Sequence, residues 1–292
     1  MRQIHIAYVK HNQEYTQHTK DRIMQIEITD DFDLSKIIDS GQCFRAKYLD
    51  SGIYRFITGS NILYSTPLSR HCYDVDCTAE RWQEIWLPYF NLDRDYALLR
   101  SQIDNSDSYM KTAIDYGTGL RILRQDPWET LITFIISQQK TIPAIRSSVE
   151  KIAEKYGVPV ETPYETVYLF PTAEQMAPAT PHELDLCKLG YRTPYILDAI
   201  RRVTSGLLDL NALYDCDDIQ LFDMLKTVHG VGDKVANCVA LFAYNRTALV
   251  PVDTWIRKVI DGVYDGHNPF IRYGSAAGIM QQYIFYYVRQ KP

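Results

Sequence analysis

The run Val228-His229-Gly230-Val231-Gly232-Asp233-Lys234 limits what this 292-residue chain can fold into more than any other stretch. Before it, Gln220 to Lys226 predicts a short amphipathic helix with Leu221, Phe222 and Leu225 on one face. After it, Lys234 to Tyr244 predicts a second helix, with Val235, Cys238, Val239 and Phe242 as its apolar stripe. Two glycines around one small apolar residue suit a tight hairpin between helices, because glycine accepts positive φ and close backbone approach. Such a hairpin leaves the first amides of the second helix unpaired and directed outward, which makes an anion site. A DNA phosphate is the natural occupant. Alone, a Gly-x-Gly before a helix fits a plain αα turn with a surface lysine equally well. Here Lys234 directly follows the hairpin, and Val250-Pro251-Val252-Asp253 supplies an aspartate 19 residues later.

Length suits about two domains, and 46% hydrophobic with 23% charged residues is the balance of an ordinary globular protein. No stretch approaches the roughly 20 apolar residues of a membrane span, and the start lacks a signal peptide's apolar region. The protein is therefore expected to stay where it is made, with the nucleoid in a prokaryote or in the nucleus of a eukaryote. Cys43, Cys72, Cys77, Cys187, Cys216 and Cys238 form no Cys-x-x-Cys and no zinc spacing, so reduced, structural thiols are expected. The net charge of −5 speaks against a nucleic-acid partner. The acid excess sits in the front half, with 13 Lys+Arg against 17 Asp+Glu up to residue 115 and 18 against 19 beyond. A hairpin that holds phosphate through backbone amides also needs few lysines.

Residues 1–23 are polar and show no pattern. Met24 to Ile28 alternates as a strand would, and Phe32 to Ile38 carries a short apolar pattern. Tyr54 to Gly59, Asn61 to Ser65 and His71 to Cys77 predict short strands between turns, together an antiparallel sheet with one wet face. From Glu80 the period becomes helical through Trp82, Ile85, Trp86 and Tyr89, and Asp93 to Ile103 predicts another helix. Tyr116-Gly117-Thr118-Gly119 is the expected seam. Beyond it, Asp126 and Pro127 read as N-cap and first residue of a helix that stops near Gln139, and Pro143 opens the next. Residues 157–182 read as a loop-rich connection with a short helix. Helices are then expected over Pro194 to Leu207 and Gly274 to Arg289. The fold class is α+β: an antiparallel sheet domain with flanking helices over 1–116, then a helical core over 117–292, its helix-hairpin-helix at about 220–244.

These motifs resemble, in order, those of the 8-oxoguanine DNA glycosylases within the helix-hairpin-helix DNA-repair superfamily. The hairpin matches the family's Leu-Pro-Gly-Val-Gly, with His229 in place of proline. Ser40-Gly41-Gln42-Cys43-Phe44-Arg45 resembles its Ser-Gly-Gln-x-Phe-Arg, Asp126-Pro127-Trp128-Glu129 its Asp-Pro-x-Glu, and Gly190-Tyr191-Arg192 its Gly-Tyr-Arg. The likeness covers about residues 25–290. Without any cysteine after Cys238 the chain departs from the iron–sulfur branches of the superfamily.

The resemblance implies excision of 8-oxoguanine from duplex DNA, with strand nicking and no cofactor, by a chain acting as a monomer. Lys234 would be the nucleophile and Asp253 the carboxylate that offsets positive charge on the sugar. To attack, the lysine must be neutral, a form favoured by desolvation and by the positive end of its own helix. Gly41, Cys238, Pro251, Gln281 and Phe285 would surround the flipped base. Oxidation at C8 puts a hydrogen on N7, turning an acceptor into a donor, and the Gly41 carbonyl would accept it. Tyr191 would wedge into the stack, Arg192 would face the estranged base, and Gln139, Lys140, His229, Gly230, Val231 and Gly232 would lie on the DNA. Animal members add an arginine that falls here on Ala144. Two other readings compete: an alkyl-base glycosylase of the same fold, which keeps the aspartate without the lysine, and a non-catalytic DNA-binding scaffold.

Overall fold

The computed structural model describes residues 23–290 apart from 102, 104 and 105, so the patternless start of the chain lies outside the described residues. Five antiparallel strands, β1 (Met24–Glu27), β2 (Lys47–Tyr48), β3 (Tyr54–Thr58), β4 (Asn61–Pro67) and β5 (Cys72–Val75), lie in the order β1-β5-β4-β3-β2. Alternation puts Ile26, Phe56, Leu63, Tyr73 and Val75 on the buried face. The helical segment expected from Glu80 covers that face with Trp82, Trp86, Tyr89 and Phe90, widened by a π-turn over Trp82–Trp86. β2, two exposed residues at the sheet edge, carries no alternation and was not anticipated.

The helices that position the site are numbered here in chain order: α1 (Leu34–Asp39), α2 (Ser108–Gly117), α3 (Pro127–Ser137), α4 (Ile142–Tyr156), α5 (Thr193–Thr204), α6 (Asp218–Lys226), α7 (Asp233–Phe242), α8 (Thr254–Val263) and α9 (Ala277–Gln290). α3 is the axle. Its start is fixed as the sequence foretold, by Asp126 accepting the Glu129 N–H at 2.8 Å with Pro127 in the first turn. Buried on nearly every side, it packs against α4, α5 and α7, with Phe134 stacked on Phe242 at 5.4 Å. α9 closes the bundle against α2 and α8.

Three elements depart from the expectations. Residues 157–182 hold a hairpin, Pro159–Glu161 paired with Thr166–Tyr168, and two short helices in place of one. Both of those helices open on capping boxes, Thr172 with Gln175 and Thr180 with Glu183. The last helix starts at Ala277, after a 3-10 stretch over Pro269–Ala276 that kinks at Gly274, at φ +48.

Two hydrophobic cores interlock. Phe44 from the sheet half, with Tyr96, Met110, Ala113 and Ile114, belongs to the helical core, and Leu123 belongs to the sheet's. Among the described residues no helix is long and apolar enough to cross a membrane.

Candidate active site

The α6–α7 hairpin uses its two glycines differently. Gly230 has φ +82, and a Cβ there would come within 2.3 Å of the Tyr195 ring on α5, so both backbone and packing demand glycine. Gly232 is extended, with open space where a Cβ would go, and serves as the N-cap of α7 with no side-chain cap. The first α7 amides therefore stay open to an anion. Asp233, a carboxylate at the same end, is paired with Lys226 at 2.6 Å, which limits its repulsion of a phosphate. His229 compensates for the missing proline. Its N–H donates to Asp198 at 2.9 Å, and its ring packs edge-on to Tyr195 at 4.7 Å. Burial raises the Asp198 carboxyl, but that N–H together with Arg201 and Arg202 outweighs it and holds the group at about 2.

Lys234, in the first turn of α7, is half-buried. Its Nζ donates to Ser137 Oγ at 3.4 Å and lies 5.2 Å from the Phe134 ring centre. The Cys238 thiol, one turn on, feels its charge. That thiol is pushed up by burial and by the Asp253 carboxylate, against the pull of Lys234, which puts all three in one electrostatic cluster. Asp253 is the N-cap of α8, accepting the Ile256 N–H at 2.9 Å. Pro251, two residues earlier, is buried.

A second set gathers around Gly41. Gly41 has φ +79, and a Cβ there would meet Arg289 Nη1 at 2.7 Å, Phe285 Cε1 at 3.1 Å and Ile142 Cδ1 at 3.4 Å. Its loop is held from below: Gln42 Nε2 donates to Ser40 Oγ and to Arg121 O, and Gln282 Nε2 donates to Ser40 O, each at 2.8 Å. Gln281, one turn before Phe285, is buried, and its amide oxygen has no partner among the described residues. A buried acceptor left open is a costly state unless a ligand supplies a donor.

The C-terminal end of α3 links these groups to the remaining candidates. Gln138 Nε2 donates to Gly230 O at 3.2 Å, and Gln138 O accepts from Tyr191 Oη at 3.4 Å and from Arg192 Nε at 2.9 Å. Tyr191 is half exposed, with the Arg192 guanidinium 4.2 Å from its ring centre. Arg192 itself is buried, its donors committed to Gln138 O and Leu189 O. Gln139 is exposed at φ +51. Lys140 folds back to donate to Ser148 Oγ and Lys188 O, both at 2.6 Å. Ala144 is exposed in the first turn of α4. Ser137, Gln138, Phe134 and Arg289 do not stand out in the sequence as site residues, because each is an ordinary residue in or just beyond a helix whose meaning depends on what folds against it.

Among the described residues no group of His, Cys, Asp and Glu could hold a metal. A cleft of about 590 Å³, lined by Gly59, Trp128, Glu129, Phe170 and Leu208 among others, shares no residue with the Lys234 cluster.

Residues 10–131 match the family described as 8-oxoguanine DNA glycosylase, N-terminal domain, and residues 132–268 match the HhH-GPD superfamily base excision DNA repair proteins. The structure of MBOgg1 in complex with a low-affinity DNA ligand aligns at 32% identity over 99% of both chains, with a TM-score of 0.88. The Clostridium acetobutylicum 8-oxoguanine glycosylase/lyase, solved with DNA containing cytosine opposite 8-oxoG, aligns at 32% identity over 92% of this chain and 96% of its own, with a TM-score of 0.86. The "Probable N-glycosylase/DNA lyase" of Methanothermobacter thermautotrophicus is 29% identical over 63% of this chain and 68% of its own.

Proposed function

The chain belongs to the 8-oxoguanine DNA glycosylase family, and from that premise we propose how its own residues excise 8-oxoguanine from duplex DNA and nick the strand that results. The open amides at the start of α7 hold a backbone phosphate. Tyr191, half exposed, fills the gap left when the base leaves the stack. The flipped base lies against Phe285 and Cys238. Its Watson–Crick edge donates to the Gln281 amide oxygen, and its N7–H donates to the Gly41 carbonyl. Lys234 Nζ then attacks C1′, the C1′–N9 bond breaks, and its electron pair leaves with the base. The lysine, now bound to C1′, loses its proton as the sugar ring opens to a Schiff base; a C2′ proton is then removed, a C2′–C3′ double bond forms, and the 3′ phosphate leaves with the electron pair of the C–O bond. Asp253 offsets the positive charge that grows on the sugar. The protein works as a single chain.

One observation carries this reading. The half-buried Lys234 amine donates to Ser137 Oγ, and the Cys238 thiol feels both its charge and that of Asp253. A surface lysine beside a plain αα turn has no such surroundings. Borohydride trapping on a duplex containing 8-oxoguanine is the test. The chain is expected to form a covalent adduct, and Lys234→Gln to lose the adduct, base release and nicking together while still binding the duplex. Base release by Lys234→Gln would overturn the covalent mechanism.

A further inference from the structure

Arg289 stands in the last turn of α9, four residues beyond Phe285 and so on the same face. Its guanidinium lies 5.0 Å from the Phe285 ring centre, and its Nη1 occupies the space beside Gly41 where a Cβ would come to 2.7 Å. Both neighbours are surfaces that the flipped base must reach. Among the described residues its one hydrogen bond is a long one, Nη1 to Asp39 O at 3.5 Å. A guanidinium has five N–H donors in a fixed fork, so four of them here lack an acceptor. Burial and the nearby Arg146 both work against its charge, while Asp253 and Asp39 support it. A half-buried cation with open donors, held against an aromatic face and a bare glycine, is arranged for oxygen acceptors that arrive with a ligand.

We propose that Arg289 is a base-contacting residue, donating to the carbonyl oxygens that flank N7 of the oxidised purine. The proposal rests on the reading that this pocket receives a flipped 8-oxoguanine. In that base N7–H is bordered on one side by the C6 carbonyl and on the other by the C8 carbonyl. With N7–H on the Gly41 carbonyl, a guanidinium packed against Gly41 is within reach of the oxygen beside it. The contact is charge-assisted, and its planar fork stacks on Phe285 as a lysine ammonium does not.

The competing occupant is a backbone phosphate, and one comparison separates the two. An abasic duplex keeps its phosphates and its Schiff-base chemistry but has no base to recognise. Arg289→Met retains the packing of the stem and removes the donors. It is expected to slow single-turnover excision from an 8-oxoguanine·cytosine duplex by about ten- to a hundredfold, the range for a lost charged hydrogen bond. Nicking of a preformed abasic duplex should stay within about twofold of the parent. Arg289→Lys should recover part of the excision rate. Equal loss on both substrates would mean a phosphate contact or a structural role, and no loss on either would mean no contact. Both results overturn the proposal. A parent protein that releases no 8-oxoguanine would instead overturn the function from which it starts.

Discussion

The Asp253 carboxylate accepts the Ile256 N–H at 2.9 Å and so caps α8, while its charge is felt at Cys238 and Arg289. Asparagine caps a helix about as well as aspartate, so Asp253→Asn separates the cap from the charge. Thermal stability should stay nearly level while single-turnover excision falls by about 10²–10³-fold, as when one electrostatic stabiliser is lost. A rate within a few-fold of the parent would reduce Asp253 to its capping role. A second residue-scale expectation comes from Ala144, exposed in the first turn of α4 and without any donor. Arg192, the remaining arginine of the pair seen in animal relatives, has its donors on Gln138 O and Leu189 O. With one arginine missing and the other engaged by the protein, little is left to select cytosine opposite the lesion. Each good contact discriminates by roughly 1–3 kcal/mol. Excision opposite adenine, guanine and thymine should therefore be readily measurable, and Ala144→Arg should sharpen the preference for cytosine. Single-turnover rates on the four duplexes decide it, and strict cytosine dependence in the parent protein would refute it.

At the scale of elements, α3 carries a half-buried carboxyl that titrates. Glu129 is raised to about 7, first by burial and then by Asp126 and Glu150, against the pull of Arg45 and Arg55. The unfolded chain holds a glutamate near 4.3, so the folded state binds this proton more tightly. Its contribution to stability is complete below the unfolded value and is lost as pH rises through about 7. Glu129→Gln lacks the titration and should gain on the parent between pH 5 and pH 8, seen as a melting-temperature difference that moves in its favour. A difference that does not change with pH would show that Glu129 is already ionised when folded. The same helix shows what was legible beforehand. Its N-cap, its proline and its apolar run are local signals, and the helix begins where they place it. The four longer strands and the helix-hairpin-helix were legible for the same reason, whereas the order of the strands in the sheet was not, because pairing joins segments distant in the chain. The capping boxes at Thr172 and Thr180 were equally local, yet they were hidden in a proline-rich stretch read as loop. The role of the α3 end was not legible, because Ser137 and Gln138 gain meaning only when Lys234, Tyr191 and Arg192 arrive from elsewhere in the chain. Nor could the pattern tell that Gly230 is pinned by Tyr195 while Gly232 is not.

At the scale of the whole molecule, the sheet and the helical core meet around Arg121, which is fully buried. Its Nε donates to Phe90 O at 3.0 Å, Nη1 to Asp30 Oδ2 at 2.9 Å and Asp31 O at 2.8 Å, and Nη2 to Asn91 O at 2.6 Å and Arg94 O at 2.7 Å. All five N–H groups are used, and the guanidinium lies 4.1 Å from the Tyr96 ring centre. Burial raises the Asp30 carboxyl, but the Tyr96 N–H and Arg121 more than reverse this and hold it below its ordinary value. One side chain thus joins the turn after β1, the segment after the aromatic helix and the strand-like crossing into α3. Arg121→Met keeps most of the volume and removes every donor, leaving a carboxylate and several carbonyls without their partner. Removing one member of a buried pair costs about 3–5 kcal/mol, a large part of the roughly 5–15 kcal/mol that holds a typical domain together. Urea unfolding should show the midpoint of Arg121→Met falling accordingly, and Asp30→Asn in the same background should add much less than it does in the parent, because its partner is already gone. Additive losses, or a midpoint shift worth under about 1 kcal/mol, would mean that the interlocked apolar side chains hold the two halves together without this joint.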